Sequence, residues 1–81
     1  MRNEADLVAL SPALLGAALR TLRQRRGLTQ AEAADSVGIQ RTYLSQLESG
    51  EMSDQTKRLL DLLLFFDAEL IIRDRRVDVG R

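Results

Sequence analysis

No cysteine and no histidine occur among the 81 residues. That removes disulfide staples, the common zinc sites, and Ser–His or Cys–His catalysis. With no acid pair and no Gly-rich phosphate loop either, the chain is not equipped as an enzyme, and no cofactor or metal is expected. Aromatic residues make up only 4%, so any core has to be aliphatic, chiefly Leu and Ala. Neither charge is in excess: 12 Lys and Arg balance 12 Asp and Glu. Neutrality weakens non-specific attraction to a polyanion. No apolar run reaches the roughly 18 residues of a membrane helix. The opening MRNEADLVALSPALL carries Glu4 and Asp6 and lacks a basic n-region, so no signal peptide is expected. A soluble, cytoplasmic protein follows as the expectation, and the missing cysteine fits a reducing compartment.

What is present has the balance of one small globular domain, 44% hydrophobic and 30% charged. A core of this size is marginal, and without disulfides or metals the usual remedy is oligomerisation. The positive charges are not evenly spread. Arg20, Arg23, Arg25 and Arg26 cluster, Arg41 follows, and most acids (Glu4, Asp6, Asp54, Asp61, Asp67, Glu69) fall elsewhere. A basic face opposite an acidic one would still attract nucleic acid.

Residues 1–11 show weak patterning and read as a loose N-terminal arm. Ser11-Pro12 then starts a helix, a hydroxyl cap followed by proline at the position where its missing N–H is harmless. Leu15, Ala18, Leu19 and Leu22 recur at helical spacing, and Gly27 ends the segment near residue 26. Thr29 with Glu32 forms a capping box for a second helix, in which Ala31 and Ala34 permit close approach. Gly38 makes a tight turn, Ile39 points inward, and a third helix begins at Gln40 or Arg41 with Leu44 and Leu47 toward the core. Ser49-Gly50 closes it.

Thr29 to Gly50 therefore reads as a helix-turn-helix whose second helix presents Gln40, Arg41, Thr42, Ser45 and Gln46 on one face. An exposed helix of that kind fits the major groove of B-DNA, about 12 Å wide. Arg41 suits guanine O6 and N7, and Gln40 or Gln46 suits adenine. The bland alternative is a solvated polar face. For Arg20 and Arg25, a helix-dipole role weighs equally with phosphate contact.

A fourth helix runs from Ser53 to Phe66, apolar around most of its circumference. Leu59, Leu62, Leu63 and Phe66 form the stripe expected to close the core. Leu60, Leu64 and Phe65 are left over for a second copy of the chain. After Asp67 the period changes to two: Ala68, Leu70 and Ile72 alternate with Glu69, Ile71 and Arg73, a short strand. No second strand is evident, so the expectation is antiparallel pairing across a dimer axis. The domain plan is thus an arm (1–11), a helix-turn-helix domain (12–66), a dimerisation strand (67–74) and a charged tail (75–81).

From Leu15 to Leu70 the chain resembles the phage repressor/Cro-type helix-turn-helix family, on LRTLRQRRGLTQAEAADSVGI, RTYLSQLESG, a last helix and a short extended segment. Within it the chain looks most like HipB-type antitoxins, on the SP at the first helix, the RQxxGxTQ stretch and the terminal strand. The resemblance implies an all-α fold: a small four-helix repressor-like domain with a C-terminal β-strand that pairs across a dimer. It implies base readout by Gln40, Arg41, Thr42, Ser45 and Gln46. Backbone contacts would come from Thr29, Gln30, Tyr43 and Ser49, with Gln30 donating to a phosphate and steadying the start of the third helix. Dimerisation would use Leu60, Leu64, Phe65, Ala68, Leu70 and Ile72, and Arg23 with Glu48 would form a structural ion pair. The implied partners are a palindromic DNA operator, a second copy of the chain and a HipA-like kinase toxin. A free-standing phage-type repressor and a protein-interaction module that never meets DNA are the alternatives. Two positions depart from the family pattern. Asp67 stands where Gly usually ends the last helix, and Glu51-Met52-Ser53-Asp54 replaces a basic loop, which would repel phosphate.

Overall fold

The computed structural model describes residues 6–76. Four helices follow one another: α1 (Pro12–Arg25), α2 (Gln30–Val37), α3 (Arg41–Glu48) and α4 (Asp54–Phe65). Two short strands, β1 (Leu7–Val8) and β2 (Ile71–Ile72), flank them and pair with each other. The mainly helical fold class expected from the sequence is the one observed.

Local chemistry sets the helix limits. The Ser11 hydroxyl accepts from Leu14 N at 3.1 Å and opens α1. At α2 both arms of the capping box are present: Glu32 N donates to the Thr29 hydroxyl at 3.1 Å and Thr29 N to the Glu32 carboxylate at 2.8 Å. Those bonds stabilise the charged carboxylate and hold Glu32 below its usual pKa. Gly38, at φ 76°, makes the turn between α2 and α3 in a conformation that side chains resist. Asp67 takes the same left-handed region at φ 55° after α4. There Asp67 N donates to Leu64 O at 3.0 Å and Ala68 N to Leu63 O at 2.8 Å, the paired bonds of a Schellman turn. Aspartate thus supports the turn that glycine would make.

α3 packs on both α1 and α2. Contact with α1 is close enough that a Cβ on Gly16 would lie 2.4 Å from Leu47 O and 2.7 Å from Glu48 O. Among the described residues, Ala9, Ala18, Ala34, Leu44 and Leu60 are the buried apolar ones, and Leu60 is the large side chain that is fully enclosed.

Two expectations about α4 and the strand are corrected here. Leu60, assigned to a dimer interface, is 2% exposed and belongs to the core. Leu59, Leu62 and Phe66, assigned to the core, are exposed together with Leu64 and Phe65. A helix apolar on most sides has no pattern that fixes which side turns inward. The second correction concerns β2, which does not wait for another copy of the chain. It pairs antiparallel with β1, in the register Leu7 to Ile72 and Val8 to Ile71, and Ala9 N extends the ladder to Leu70 O at 2.9 Å. The supposed loose arm therefore supplies a strand, with Ala9 wholly buried beneath it. Ile71, expected on the exposed side, is half-buried, whereas Ala68, Leu70 and Ile72 are half-buried as their alternation implies. The tail assigned to residues 75–81 lies outside the described residues from 77 onward.

Candidate nucleic-acid interface

α3 is amphipathic at close range. Leu44 and Glu48 face inward, and Gln40, Arg41, Thr42, Tyr43, Gln46 and Ser49 stand exposed, with Ser45 half-buried between them. Gln40 is the N-cap residue of α3 without a side-chain cap bond, so its amide is not spent on closing the helix. Arg41 occupies the first helical position. The Ser49 hydroxyl donates to Gln46 O at 2.8 Å, and the Thr29 hydroxyl oxygen is engaged in the capping box. The structure thus places the five residues assigned to base readout on α3 or its cap, with Tyr43 and Ser49 on the same element and Thr29 and Gln30 at the start of α2.

Beneath this face lies a polar centre. Glu48 is 4% exposed, yet none of its oxygens lacks a partner. Arg23 grips it with a fork, Nε to Oε2 at 2.7 Å and a terminal nitrogen to Oε1 at 2.9 Å. The remaining terminal nitrogen of Arg23 donates to Leu28 O at 2.8 Å, fixing the α1–α2 connection to the same centre. Arg20 approaches Oε1 at 3.5 Å. The hydrogen bond from Arg23 is the main force holding Glu48 below its usual pKa, against the opposing effect of burial. The same bond raises Arg23 above its ordinary value. One carboxylate on α3 therefore ties that helix to α1 and α2 together.

Gln30 behaves differently from its assigned role. Its amide nitrogen donates to Glu48 Oε1 at 3.1 Å. It steadies the C-terminal end of α3 rather than the start, and its amide is directed into the domain.

The arginine cluster is not an open basic patch. Arg20 and Arg23 engage Glu48, while Arg25 and Arg26 both bind Asp74, the former at 3.2 Å. Asp74 is nearly as buried as Glu48 and also accepts from Arg76 N at 3.0 Å. The Arg26 guanidinium and that backbone N–H hold its pKa at about 2. Asp74 escaped the sequence reading because an aspartate among arginines in a charged tail looks solvated. Its partners lie 48 and 49 positions away. Gly16 was missed for a similar reason: a glycine inside a helix shows its purpose only when a neighbouring backbone is seen.

A helix-turn-helix whose second helix is anchored from below and polar above is the class that this fold and site define. The chain matches the family described as helix-turn-helix domain over residues 14–70, most of its length, and belongs to that family, in its repressor/Cro-type class. It is also 36% identical over 56 residues to the ImmF control region 10 kDa protein of Bacillus phage phi105. That match covers 69% of this chain and 62% of the phage protein, so under two thirds of the relative's length is spanned. No solved structure matches the chain.

Proposed function

We propose that the chain is a sequence-specific DNA-binding transcriptional regulator, a repressor that acts as a dimer on a palindromic operator. The observation that carries this reading is the exposed polar face of α3, Gln40 to Gln46, set on a helix whose inner side is fixed by Glu48. Positioned side chains of that kind suit base edges in the major groove, where each good bidentate pair discriminates by roughly 1–3 kcal/mol. One α3 spans too few base pairs for a unique site. A two-fold pair with recognition helices about 34 Å apart reads a palindrome. The exposed face Leu59, Leu62, Phe65 and Phe66 supplies apolar area for such a pair, with Leu64 exposed on another side of the helix. With Leu60 buried and β2 paired inside its own chain, the dimer surface proposed is this face of α4 rather than an exchanged strand.

The test is a mobility-shift titration with the DNA upstream of the protein's own gene and with random duplex. Arg41→Ala should relax the preference at one base pair per half-site while leaving random-sequence binding nearly unchanged. An equal fall on both DNAs would make Arg41 a phosphate contact, and no preference in the unmodified protein would reject the reading.

Two finer readings differ in partner. The name of the phage relative, a control-region protein, supports a free-standing phage-type repressor. The RQxxGxTQ stretch and the terminal strand support an antitoxin that represses its own operon and binds a HipA-like kinase toxin. An adjacent kinase-like reading frame whose product co-purifies with the chain decides for the second. Neutralisation of the α1 arginines by Glu48 and Asp74 favours the remaining alternative, a protein-interaction module, which a negative mobility shift would select.

A further inference from the structure

The outward side of α4 carries a shallow hollow lined by Arg58, Asp61, Leu62 and Phe65. Those residues stand at i, i+3, i+4 and i+7 of one helix face, the spacing of a hole that receives one side chain from a facing helix. Leu59 and Phe66 adjoin it, both exposed. Arg58 and Asp61 are exposed too, and no hydrogen bond or ion pair engages either among the described residues. The face thus holds knobs, a hole and one charge of each sign.

We propose that α4 pairs antiparallel with α4 of a second copy about a two-fold axis at Leu62, so that each Leu62 enters the other copy's hollow. The inference rests on the dimer reading above and adds its direction and register. Charge favours a second copy, because one basic and one acidic residue make the face its own complement, and the chain as a whole carries no net charge. Charge also selects the direction. A parallel pair would set Arg58 against Arg58 and Asp61 against Asp61, like charges face to face, which the antiparallel pair separates. Register follows from apolar area. With the axis at Leu62, Leu59 lies against the partner's Phe65, and Arg58 crosses the ring of the partner's Phe66, a favourable cation–π placement. An axis between Leu59 and Leu60 would instead match Arg58 to the partner's Asp61 and lay Phe65 on the partner's Asp54. Exposed ion pairs contribute less than a buried phenylalanine, so the first register wins. The two phenylalanines, 80% and 68% exposed, remove about 300 Å² per copy if each carries roughly 200 Å². Leu59, Leu62 and the Arg58 stem bring the pair's total toward the roughly 1,000 Å² of a specific interface.

Cysteine-free, the chain accepts a single cysteine as a reporter. Facing Cα atoms of helices packed about 8–10 Å apart lie about 5 Å from each other, within disulfide reach. Leu62→Cys should therefore close to a covalent dimer under mild oxidation. In Leu59→Cys the two cysteines stand out of register by about 9 Å along the helix, and closure at equal protein concentration should be about tenfold slower or more. Equal rates, or a faster Leu59→Cys, in a chain that sediments as a dimer overturn this register and leave the dimer in place. Neither cysteine closing, in a chain that sediments as a dimer, moves the interface off this face of α4. A chain that sediments as a monomer at every concentration removes the dimer reading, and this inference with it.

Discussion

The two ends of the molecule solve the burial problem in opposite ways. Around α1, α2 and α3 the interior is polar at its centre: Glu48 is almost inaccessible, and Arg20, Arg23 and Gln30 converge on it. Along α4 the arrangement is reversed. Leu60 is fully enclosed and Leu63 half-buried, while Leu59, Leu62, Phe65 and Phe66 face outward, with Phe65 80% exposed. The first end is closed by directional bonds that leave little freedom in how α3 sits. The second exposes apolar area, the feature from which the dimer surface is proposed. The directional bonds thus lie under the proposed DNA-reading face, and the exposed apolar area lies on α4.

That contrast can be broken most forcibly at Glu48. Glu48→Ala strands Arg23 beneath α3 and should cost about 3 kcal/mol or more in urea unfolding, the usual penalty for removing one partner of a buried pair. A shift under about 1 kcal/mol would show that water replaces the carboxylate and that the centre is not the anchor. Next comes Gly16→Ala. In an open helix the change would stabilise by up to about 1 kcal/mol, but the new Cβ collides with Leu47 O and Glu48 O, so destabilisation of roughly 1–3 kcal/mol is expected instead. The sign alone decides whether α1 and α3 can move apart.

Smaller effects sharpen the comparison. Thr29→Ala removes half of the capping box and should cost about 1 kcal/mol by the same measurement, with Thr29→Gly costing much less. On the other end, Phe65→Ser should leave the dilute protein within about 0.5 kcal/mol of its original stability. It should also remove any rise of Tm with protein concentration, as expected if Phe65 serves a dimer and not the monomer's core. A large loss at high dilution would return Phe65 to the core.

The last prediction concerns acid. Asp74 titrates at about 2 in the folded protein, below its ordinary 3.8. A depressed carboxylate stabilises the fold above the unfolded-state value, and that contribution fades as pH falls from about 4 toward 2. Glu48 and Glu32 are depressed as well and add to the same acid limb. Asp74→Asn should therefore flatten, without abolishing, the loss of stability over that range. An unchanged slope would mean that the clamp on Arg25 and Arg26 does not form in solution.

The sequence by itself determined the four helices, their caps and the polar face of α3. Those features are local: Ser11-Pro12, Thr29 with Glu32, Ser53 with Thr56, and the left-handed residues Gly27, Gly38, Gly50 and Asp67 act within a turn or two of their own position. Only the tertiary structure decided the rotation of α4, because a helix with leucines on several sides offers no preferred stripe. It also decided the partner of β2. Leu7 and Ile72 stand 65 positions apart, and β1, only two residues long and set in a weakly patterned stretch, leaves no periodicity to read. The roles of Asp74, Gly16 and Gln30 were fixed in the same way, by neighbours brought up from distant parts of the chain, where the identity of a residue says what it can bond but not what it will meet.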